Sequence, residues 1–503
     1  MTNTHHTRCI MVQGTMSGAG KSLLCTALCR IFAQDGFRVA PFKSQNMALN
    51  SYVTRDGLEM GRAQVVQAQA AGIEPDVRMN PILLKPCSDT GSQVIVRGEV
   101  RGRMPAAQYF RYKKQLIPEI LDAYRSLAEE YDILVIEGAG SPAEINLKAE
   151  DIVNMGLAQM VHAPVLLAGD IDRGGVFAQL YGTVALLEPQ EQARIGGFII
   201  NKFRGDPEIL RPGLSMLEER TRIPVLGVVP YLNVDIDEED SLASCLSTES
   251  VHKPIDIAVV RFPRISNFTD FTPLESHPAL GVRYVSEVAA LGHPDLIVLP
   301  GTKNTVEDLL WMRQNGLEAA VLKAAVLKAA SAQTPILGVC GGYQMLGRTL
   351  RDPAGTEGNI SGRTLHGLGL LPVDTTYTTA KTRTRVQAMV TSEPWSGACV
   401  DGYEIHMGDT QVQGQPFCRL QNGVGEGCCQ GLVWGTYLHG LFDTGELTVK
   451  LADWLCQRKG ITLQQAAPVN HHTYLQRQFD QLADGVRRAL DMQAIYRLME
   501  ESR

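Results

Sequence analysis

The chain has 503 residues, with 47 lysines and arginines against 54 aspartates and glutamates and a formal net charge of −7. This length exceeds one ordinary hydrophobic core and predicts two domains or slightly more, while the acidic balance disfavours nucleic-acid binding. The apolar runs are far shorter than the roughly 20 residues of a membrane span, and the 11 scattered cysteines favour reduced thiols in a cytoplasmic protein without membrane attachment.

The first 230 residues alternate short apolar strands with helical stretches. Each strand is a nearly continuous apolar run, as expected when both faces of a parallel sheet are covered. The predicted strands are 9–14, 39–43, 133–139, 165–171, 197–202 and 225–230. Helices fit between successive strands, so residues 1–235 are predicted to form a doubly wound α/β domain.

A glycine-rich loop, GTMSGAGKS, follows the first strand. A loop of this kind at a helix start surrounds phosphates with backbone N–H groups, while its lysine reaches the outer phosphates and its serine hydroxyl binds Mg²⁺. Its spacing departs from the common phosphate loop, because five residues rather than four separate Gly14 from Gly20. The loop predicts bound ATP with Mg²⁺, held by Gly14, Thr15, Gly18, Gly20, Lys21 and Ser22.

Polar residues at the ends of other strands fit the same nucleotide site. Lys43 ends the second strand, and Asn201 ends a later one, where it could contact the base. Glu137 ends another strand and could hold Mg²⁺ together with the loop serine. Asp170 and Asp172 are further candidates for Mg²⁺ or phosphate binding. Each residue is a weak indication alone, but parallel sheets bind ligands at the carboxyl ends of their strands.

The second half of the chain predicts another domain. Residues 236–253 are acidic and then serine-rich, which is typical of a linker. Strand-type runs resume at 255–262, 295–301, 335–340 and 431–440, so a second doubly wound α/β domain is predicted over 254–446. Residues 447–503 lack such runs and are predicted to form a helical C-terminal extension.

The stretch PILGVCGGYQMLG, residues 335–347, predicts a nucleophile. It consists of a buried strand, a glycine-flanked Cys340 and a helix start. The glycines allow a sharp turn that lifts one side chain clear of the sheet, and the helix N-terminus favours the thiolate. Because a thiol placed this way attacks carbonyl groups, Cys340 is predicted to form a covalent acyl intermediate.

Cys340 needs a base, and two histidines are the stronger candidates. His439 follows a late apolar strand within the same predicted domain. His406 is the alternative, and Glu404 lies two residues from it on the same face of an extended segment.

The second half resembles a class I glutamine amidotransferase domain. The resemblance implies that Cys340 attacks the side-chain amide of glutamine and that His439 acts as base and then as acid. Many members of that class carry a glutamate two residues after the histidine, where this chain has Leu441. The departure matches the cobalamin-pathway branch of the class. It leaves open which residue orients His439, and Glu404 is the candidate.

The first half resembles dethiobiotin synthetase-like enzymes, which share the longer glycine loop and activate a carboxylate with ATP. Related ATPases of the partitioning type carry a lysine early in this loop, where the chain has Met16. The resemblance therefore favours a synthetase over a partitioning-type nucleotide switch.

Longer motifs resemble the cobyric acid synthase family across essentially the whole chain and in the same domain order. They are KSQNMALNS at 43–51, MNPILLKP at 79–86, SQVIVRG at 92–98, EGAGSPAEINL at 137–147, GTKNT at 301–305 and YEIHMG at 403–408. The resemblance implies glutamine- and ATP-dependent amidation of the b, d, e and g carboxylates of adenosylcobyrinic acid a,c-diamide through acyl phosphates. It implies a corrinoid polycarboxylate, glutamine and MgATP as small-molecule partners, without a tightly bound protein metal.

Three alternatives stay open at the level of sequence. The nearest is cobyrinic acid a,c-diamide synthase, a sister enzyme with the same two chemistries, which the QNMALNS and MNPILLKP segments disfavour. A partitioning-type ATPase fused to a binding module belongs to a different class. A cysteine peptidase or hydrolase would leave the glycine loop unexplained.

Overall fold

The computed structural model describes residues 7–88, 91–236, 253–325, 333–357, 360–462 and 470–501. The chain divides into two compact units, each assembled from separated segments. The first comprises Met1–Met47, Glu59–Ile236 and Leu475–Arg503, and the second comprises Ala48–Leu58 and Asp237–Tyr474. Nearly all of the predicted linker lies outside the described residues. None of the helices within the described ranges is long and apolar enough to cross a membrane.

A parallel sheet of buried apolar strands forms the centre of the first unit. In spatial order its strands are Val225–Pro230, Ile195–Phe203, Val165–Asp170, Arg8–Gly14, Ile133–Glu137 and Val39–Phe42. The first strand of the sequence lies inside the sheet, with further strands added on both of its sides. This order confirms the predicted doubly wound α/β fold.

Helices pack on this sheet through regularly spaced apolar residues. In the first helix, Leu24, Leu28 and Ile31 recur every three or four residues and are buried in one core with Ile10 and Val135. Counting 3₁₀ turns, the helical segments of this unit that precede residue 236 are Lys21–Gln34, Arg62–Ala70, Val77–Met79, Ala106–Tyr112, Lys113–Leu116, Ile117–Glu130, Ile145–Glu150, Met155–Met160, Val176–Leu186, Pro189–Gln192 and Pro207–Thr221.

A second, smaller sheet in the first unit was not predicted. Its strands are Gln45–Met47, Ile82–Ser88, Gly91–Val96 and Glu99–Pro105, and a short strand, Glu59–Gly61, lies nearby in the chain. The strands Ile82–Ser88 and Glu99–Pro105 are hidden in the sequence because their apolar pattern is interrupted by charged residues. One of them, Lys85, is buried and forms an ion pair with Glu59 at 2.9 Å.

The second unit contains another largely parallel sheet. Its strands lie in the order Leu280–Val285, Ile255–Val260, Leu296–Leu299, Ile336–Val339, Val433–Thr436 and Cys428–Gln430, of which the last is antiparallel. This sheet confirms the predicted second α/β unit. The helical segments of the unit are Phe268–Phe271, Thr272–Glu275, Val288–Leu291, Thr305–Gln314, Leu317–Ala325, Gly341–Leu346 and Glu446–Arg458.

A second, mostly antiparallel sheet, the antiparallel layer, was not predicted and completes the second unit, with one parallel pair between Thr349–Asp352 and Val373–Val390. Its strands are Arg363–His366, Thr349–Asp352, Val373–Val390, Cys399–Val412, Leu438–His439, Cys418–Leu420 and Gly425–Glu426, and Ser51–Val53 is a further short strand of this unit. The predicted strand 431–440 is therefore split. Its first part belongs to the parallel sheet, and its end, Leu438–His439, pairs with the antiparallel layer.

The C-terminal residues are helical, as predicted, but they do not form one separate extension. The helix Glu446–Arg458 belongs to the second unit, whereas Leu475–Arg503 belongs to the first. The helices His471–Ala489 and Met492–Glu501 supply Phe479 and Ile495 to the core of the first unit. The division into units thus differs from the predicted boundaries here and at Ala48–Leu58, because apolar packing joins segments that are distant in sequence.

Candidate active site

The glycine loop of the first unit adopts a geometry that requires glycine. Gly18 and Gly20 have φ angles of 76° and 90°, in the left-handed region that other residues rarely adopt. A side chain at Gly20 would also collide with the amide of Asn201, whose Nδ2 donates a hydrogen bond to the carbonyl oxygen of Ala19 at 2.9 Å. The loop thus leads directly into the N-terminus of the helix Lys21–Gln34, where backbone N–H groups favour an anion.

Lys21 is buried where the loop meets the end of a neighbouring strand. Its Nζ donates hydrogen bonds to the carbonyl oxygens of Met16 at 3.1 Å and Gly140 at 2.9 Å. Burial lowers the pKa of Lys21 to about 8, although the charge of Glu137 raises it. A desolvated ammonium group held inside a glycine loop is suited to neutralising phosphate charge.

Glu137 gathers the other predicted groups around one buried carboxylate. Ser22 Oγ and Lys43 Nζ each lie 2.8 Å from its Oε1, and Gln67 Nε2 lies 2.5 Å from Oε2. Burial alone would raise the pKa of Glu137, but the charge of Lys43 and the hydrogen bonds to the carboxylate hold it below its ordinary value. An ionised carboxylate beside a hydroxyl is the oxygen donor set that Mg²⁺ prefers, so the residues present fit that ion.

Sequence reasoning did not identify Gln67, one of the residues that bond Glu137. Gln67 lies in the polar helix Arg62–Ala70 without any marker of its function. Lys202 donates to the carbonyl oxygen of Gly18 at 2.7 Å and pairs with Asp170 at 3.0 Å, so Asp170 contacts a lysine that secures the loop. The predicted Thr15 lies in the loop and donates to a neighbouring glutamine side chain.

In the second unit, Cys340 occupies the predicted turn between strand and helix. Its φ of 51° and ψ of −107° are strained for a residue with a side chain, and it is 8% exposed. The turn is closed by the backbone N–H of Cys340, which donates to the carbonyl oxygen of Thr436 at 2.8 Å. A side chain at Gly342 would collide with the backbone of Leu299, so the glycines allow the close packing that the turn needs.

His439 contacts Cys340 and is oriented by Asp270, which sequence reasoning did not identify. His439 Nδ1 lies 2.6 Å from Asp270 Oδ2, and the backbone N–H of Gly440 donates to Asp270 Oδ1 at 3.0 Å. Burial alone would lower the pKa of His439, but the charge and hydrogen bond of Asp270 and the interaction with Cys340 raise it to about 10. Asp270, His439 and Cys340 thus lie in series, the arrangement that a nucleophile, its base and an orienting acid require.

His406 and Glu404, the alternative base and the alternative orienting acid from the sequence, make other contacts. His406 stacks on Tyr437 with ring centroids 3.6 Å apart, and its Nδ1 donates to the carbonyl oxygen of Gly408 at 2.8 Å. Burial lowers the pKa of His406 to about 4. Glu404 lies opposite Leu438 in the antiparallel layer, and Asp270 rather than Glu404 bonds the His439 ring. Asp270 is far from both partners in sequence, in the 3₁₀ turn Phe268–Phe271, and carries no motif of its own.

Two family models match the chain in the order of these sites. A "CobQ/CobB/MinD/ParA nucleotide binding domain" matches residues 10–241, and a "CobB/CobQ-like glutamine amidotransferase domain" matches residues 256–447. Together they cover the phosphate loop and the Cys340 site.

Relatives named cobyric acid synthase match nearly the full chain. That of Lachnoclostridium phytofermentans is 56% identical over 98% of this chain and 99% of its own length. The relative of Ruminiclostridium cellulolyticum is 54% identical over 98% of this chain and 97% of its own, and that of Yersinia enterocolitica is 50% identical over 98% of both. Given these matches, the chain is a glutamine-dependent amidotransferase and belongs to the cobyric acid synthase family.

Proposed function

We propose that this enzyme amidates the b, d, e and g carboxylates of adenosylcobyrinic acid a,c-diamide to give adenosylcobyric acid. Each amidation would consume one glutamine and one ATP. The observation that carries the proposal is the full-length similarity to cobyric acid synthases, in a chain that has both a phosphate loop and a Cys–His–Asp series.

The second unit would release ammonia from glutamine. His439 takes the Cys340 proton, and the thiolate attacks the side-chain amide carbon to form a tetrahedral adduct. Backbone N–H groups near Gly301 and Gly341 are candidates for stabilising its oxyanion. Protonated His439 then gives its proton to the leaving nitrogen, and water hydrolyses the resulting thioester to glutamate. Asp270 keeps His439 oriented and stabilises its charged form throughout.

The first unit would prepare the carboxylate. Bound ATP would supply the phosphoryl group that turns a poorly electrophilic carboxylate into an acyl phosphate, which ammonia can displace. Lys21 and the backbone N–H groups of the loop would hold the phosphates. The loop itself would be shaped by Gly14, Thr15, Gly18 and Gly20. Asn201 would hold the end of the loop through its bond to Ala19. Glu137 and Ser22 would hold Mg²⁺, and Lys43 would keep Glu137 ionised.

The choice of corrinoid separates this function from that of the sister enzyme. We expect purified enzyme with glutamine, ATP and Mg²⁺ to convert the a,c-diamide, and cobyrinic acid itself to turn over at least about a hundredfold more slowly in kcat/KM. Mass spectrometry of the corrinoid product measures both. Preferred amidation of cobyrinic acid at the a and c positions would support the sister activity instead.

The variant Lys21→Met serves as the control in that assay. It keeps the length and apolar stem of the side chain but removes the charge. Because the phosphate site is needed whichever source provides ammonia, we expect loss of amidation with glutamine and with ammonium chloride alike. A nucleotide switch with a binding module would instead hydrolyse ATP without amidating either corrinoid.

A further inference from the structure

Glu426 is a buried carboxyl group that the proposed reaction does not use. It lies on the short strand Gly425–Glu426 of the second unit and is 7% exposed. Three donors surround its carboxylate. The backbone N–H of Tyr437 lies 2.7 Å from Oε1, while Thr436 Oγ1 and Cys418 Sγ lie 2.6 Å and 3.3 Å from Oε2.

Two of these donors belong to the point where the chain passes from one sheet to the other. The strand ending at Thr436 pairs with the strand Ile336–Val339, which leads into Cys340. Leu438–His439 instead pairs with the antiparallel layer, with His439 opposite Tyr403. Thr436 Oγ1 also accepts the backbone N–H of Leu438 at 3.1 Å. Glu426 therefore bonds both residues of the crossover between the two sheets.

The crossover at Thr436 and Tyr437 bonds the Cys340 turn and leads directly to His439. The carbonyl oxygen of Thr436 accepts the backbone N–H of Cys340 at 2.8 Å, so Thr436 fixes the nucleophile turn. His439 follows directly after the crossover. A displacement of the crossover would move the imidazole relative to the thiol, and a misplacement of about 1 Å can cost about a hundredfold in rate.

Stability alone does not account for a carboxyl group at this position. Burial raises the pKa of Glu426 to about 7, although the bonds from Thr436 and Tyr437 lower it. Desolvating a carboxylate is unfavourable, and well-packed apolar side chains often stabilise such buried positions as well or better. The bonds from Thr436 and Tyr437 instead hold the crossover in one geometry.

We propose that Glu426 is a positioning residue of the glutaminase reaction, which fixes His439 against Cys340 through its bonds to Thr436 and Tyr437. This inference rests on the proposed catalytic roles of Cys340 and His439. Glu426 touches neither of the reacting atoms and acts through the crossover.

The variant Glu426→Gln tests the proposal while keeping the shape of the side chain. An amide has one acceptor oxygen, so it cannot accept from both Thr436 and Tyr437 through separate oxygens. We expect the kcat of glutamine hydrolysis to fall about 10- to 100-fold while the KM for glutamine changes less than about threefold. Ammonia-driven amidation should not change.

Alkylation of Cys340 by iodoacetamide as a function of pH distinguishes a positioning role of Glu426 from a purely structural role. Only the thiolate is alkylated, so the dependence of the rate on pH reports how well His439 takes the thiol proton. In Glu426→Gln the midpoint of this dependence should move to higher pH than in the unaltered enzyme. Glu287→Gln, the same change at an exposed glutamate of this unit, should leave the midpoint unchanged.

Substitutions at Thr436 keep the test decisive where Glu426→Gln fails to fold. Thr436→Val removes the hydroxyl and should reproduce the loss of kcat and the shift of the midpoint. Thr436→Ser keeps the hydroxyl and should retain the kcat and the midpoint of the unaltered enzyme. Unchanged kcat and midpoint in folded Glu426→Gln and Thr436→Val would overturn the inference. Glutamine-driven activity that survives Cys340→Ala would instead overturn the proposed function, which separates the two failures.

Discussion

Replacement of Cys340 by alanine is expected to abolish glutamine-driven amidation and to preserve amidation driven by ammonium chloride. In the proposed reaction the Cys340 thiol attacks the amide of glutamine, and alanine cannot form the covalent adduct. The rate with glutamine should therefore fall at least about a thousandfold. The phosphate loop and Glu137 belong to the first unit and do not depend on Cys340, so externally supplied ammonia should still be used.

The matched control is Cys456→Ala, the same substitution at another buried cysteine of the second unit. It should retain activity with both nitrogen sources. Product formation is followed by chromatography of the corrinoid at mildly alkaline pH, where free ammonia is available. Equal loss with glutamine and with ammonia in folded Cys340→Ala protein would contradict the assignment.

The variant Asp270→Asn is expected to lower the kcat of glutamine hydrolysis by about ten-thousandfold. Asparagine fills the same space but loses the charge that holds the His439 ring and stabilises its protonated form. Removal of a buried acid that orients a catalytic histidine has effects of this order in other triads. Ammonia-driven amidation should stay near that of the unaltered enzyme.

The pH dependence of the same variant gives an independent check. Asp270 raises the pKa of His439 to about 10, and burial opposes it. His439 must be protonated to release ammonia, so removal of the acid should move the alkaline limb of kcat to lower pH. The control is Asp256→Asn, because the carboxylate of Asp256 pairs with Arg283 and not with His439. This variant should leave the alkaline limb of kcat in place. An unshifted limb in Asp270→Asn would exclude Asp270 as the orienting acid.

Local sequence patterns predicted the parts of the molecule in which neighbouring residues determine the geometry. The uninterrupted apolar runs at Ile133–Glu137 and Val165–Asp170 are buried strands, as their composition indicated. The glycine loop and the turn at Cys340 were recognisable because a left-handed or strained backbone leaves glycines in the sequence.

The rest depends on contacts between residues that are distant in sequence. Asp270 meets His439 across 169 positions, and Gln67 meets Glu137 across 70 positions, without any motif. The helices after Leu475 pack on the first unit because their apolar faces fit its core, which no local pattern reveals. A strand such as Ile82–Ser88, with a buried lysine paired to a glutamate, does not resemble an apolar run.

In the proposed function, glutamine nitrogen released at Cys340 ends in four corrinoid amides. Incubation of the enzyme with amide-¹⁵N-glutamine, ATP, Mg²⁺ and adenosylcobyrinic acid a,c-diamide, followed by mass spectrometry of the product, follows this nitrogen. We expect a product in which all four new amides carry ¹⁵N, with one ATP consumed for each. A product with unlabelled amides, or no amidation of this substrate, would contradict the proposed function.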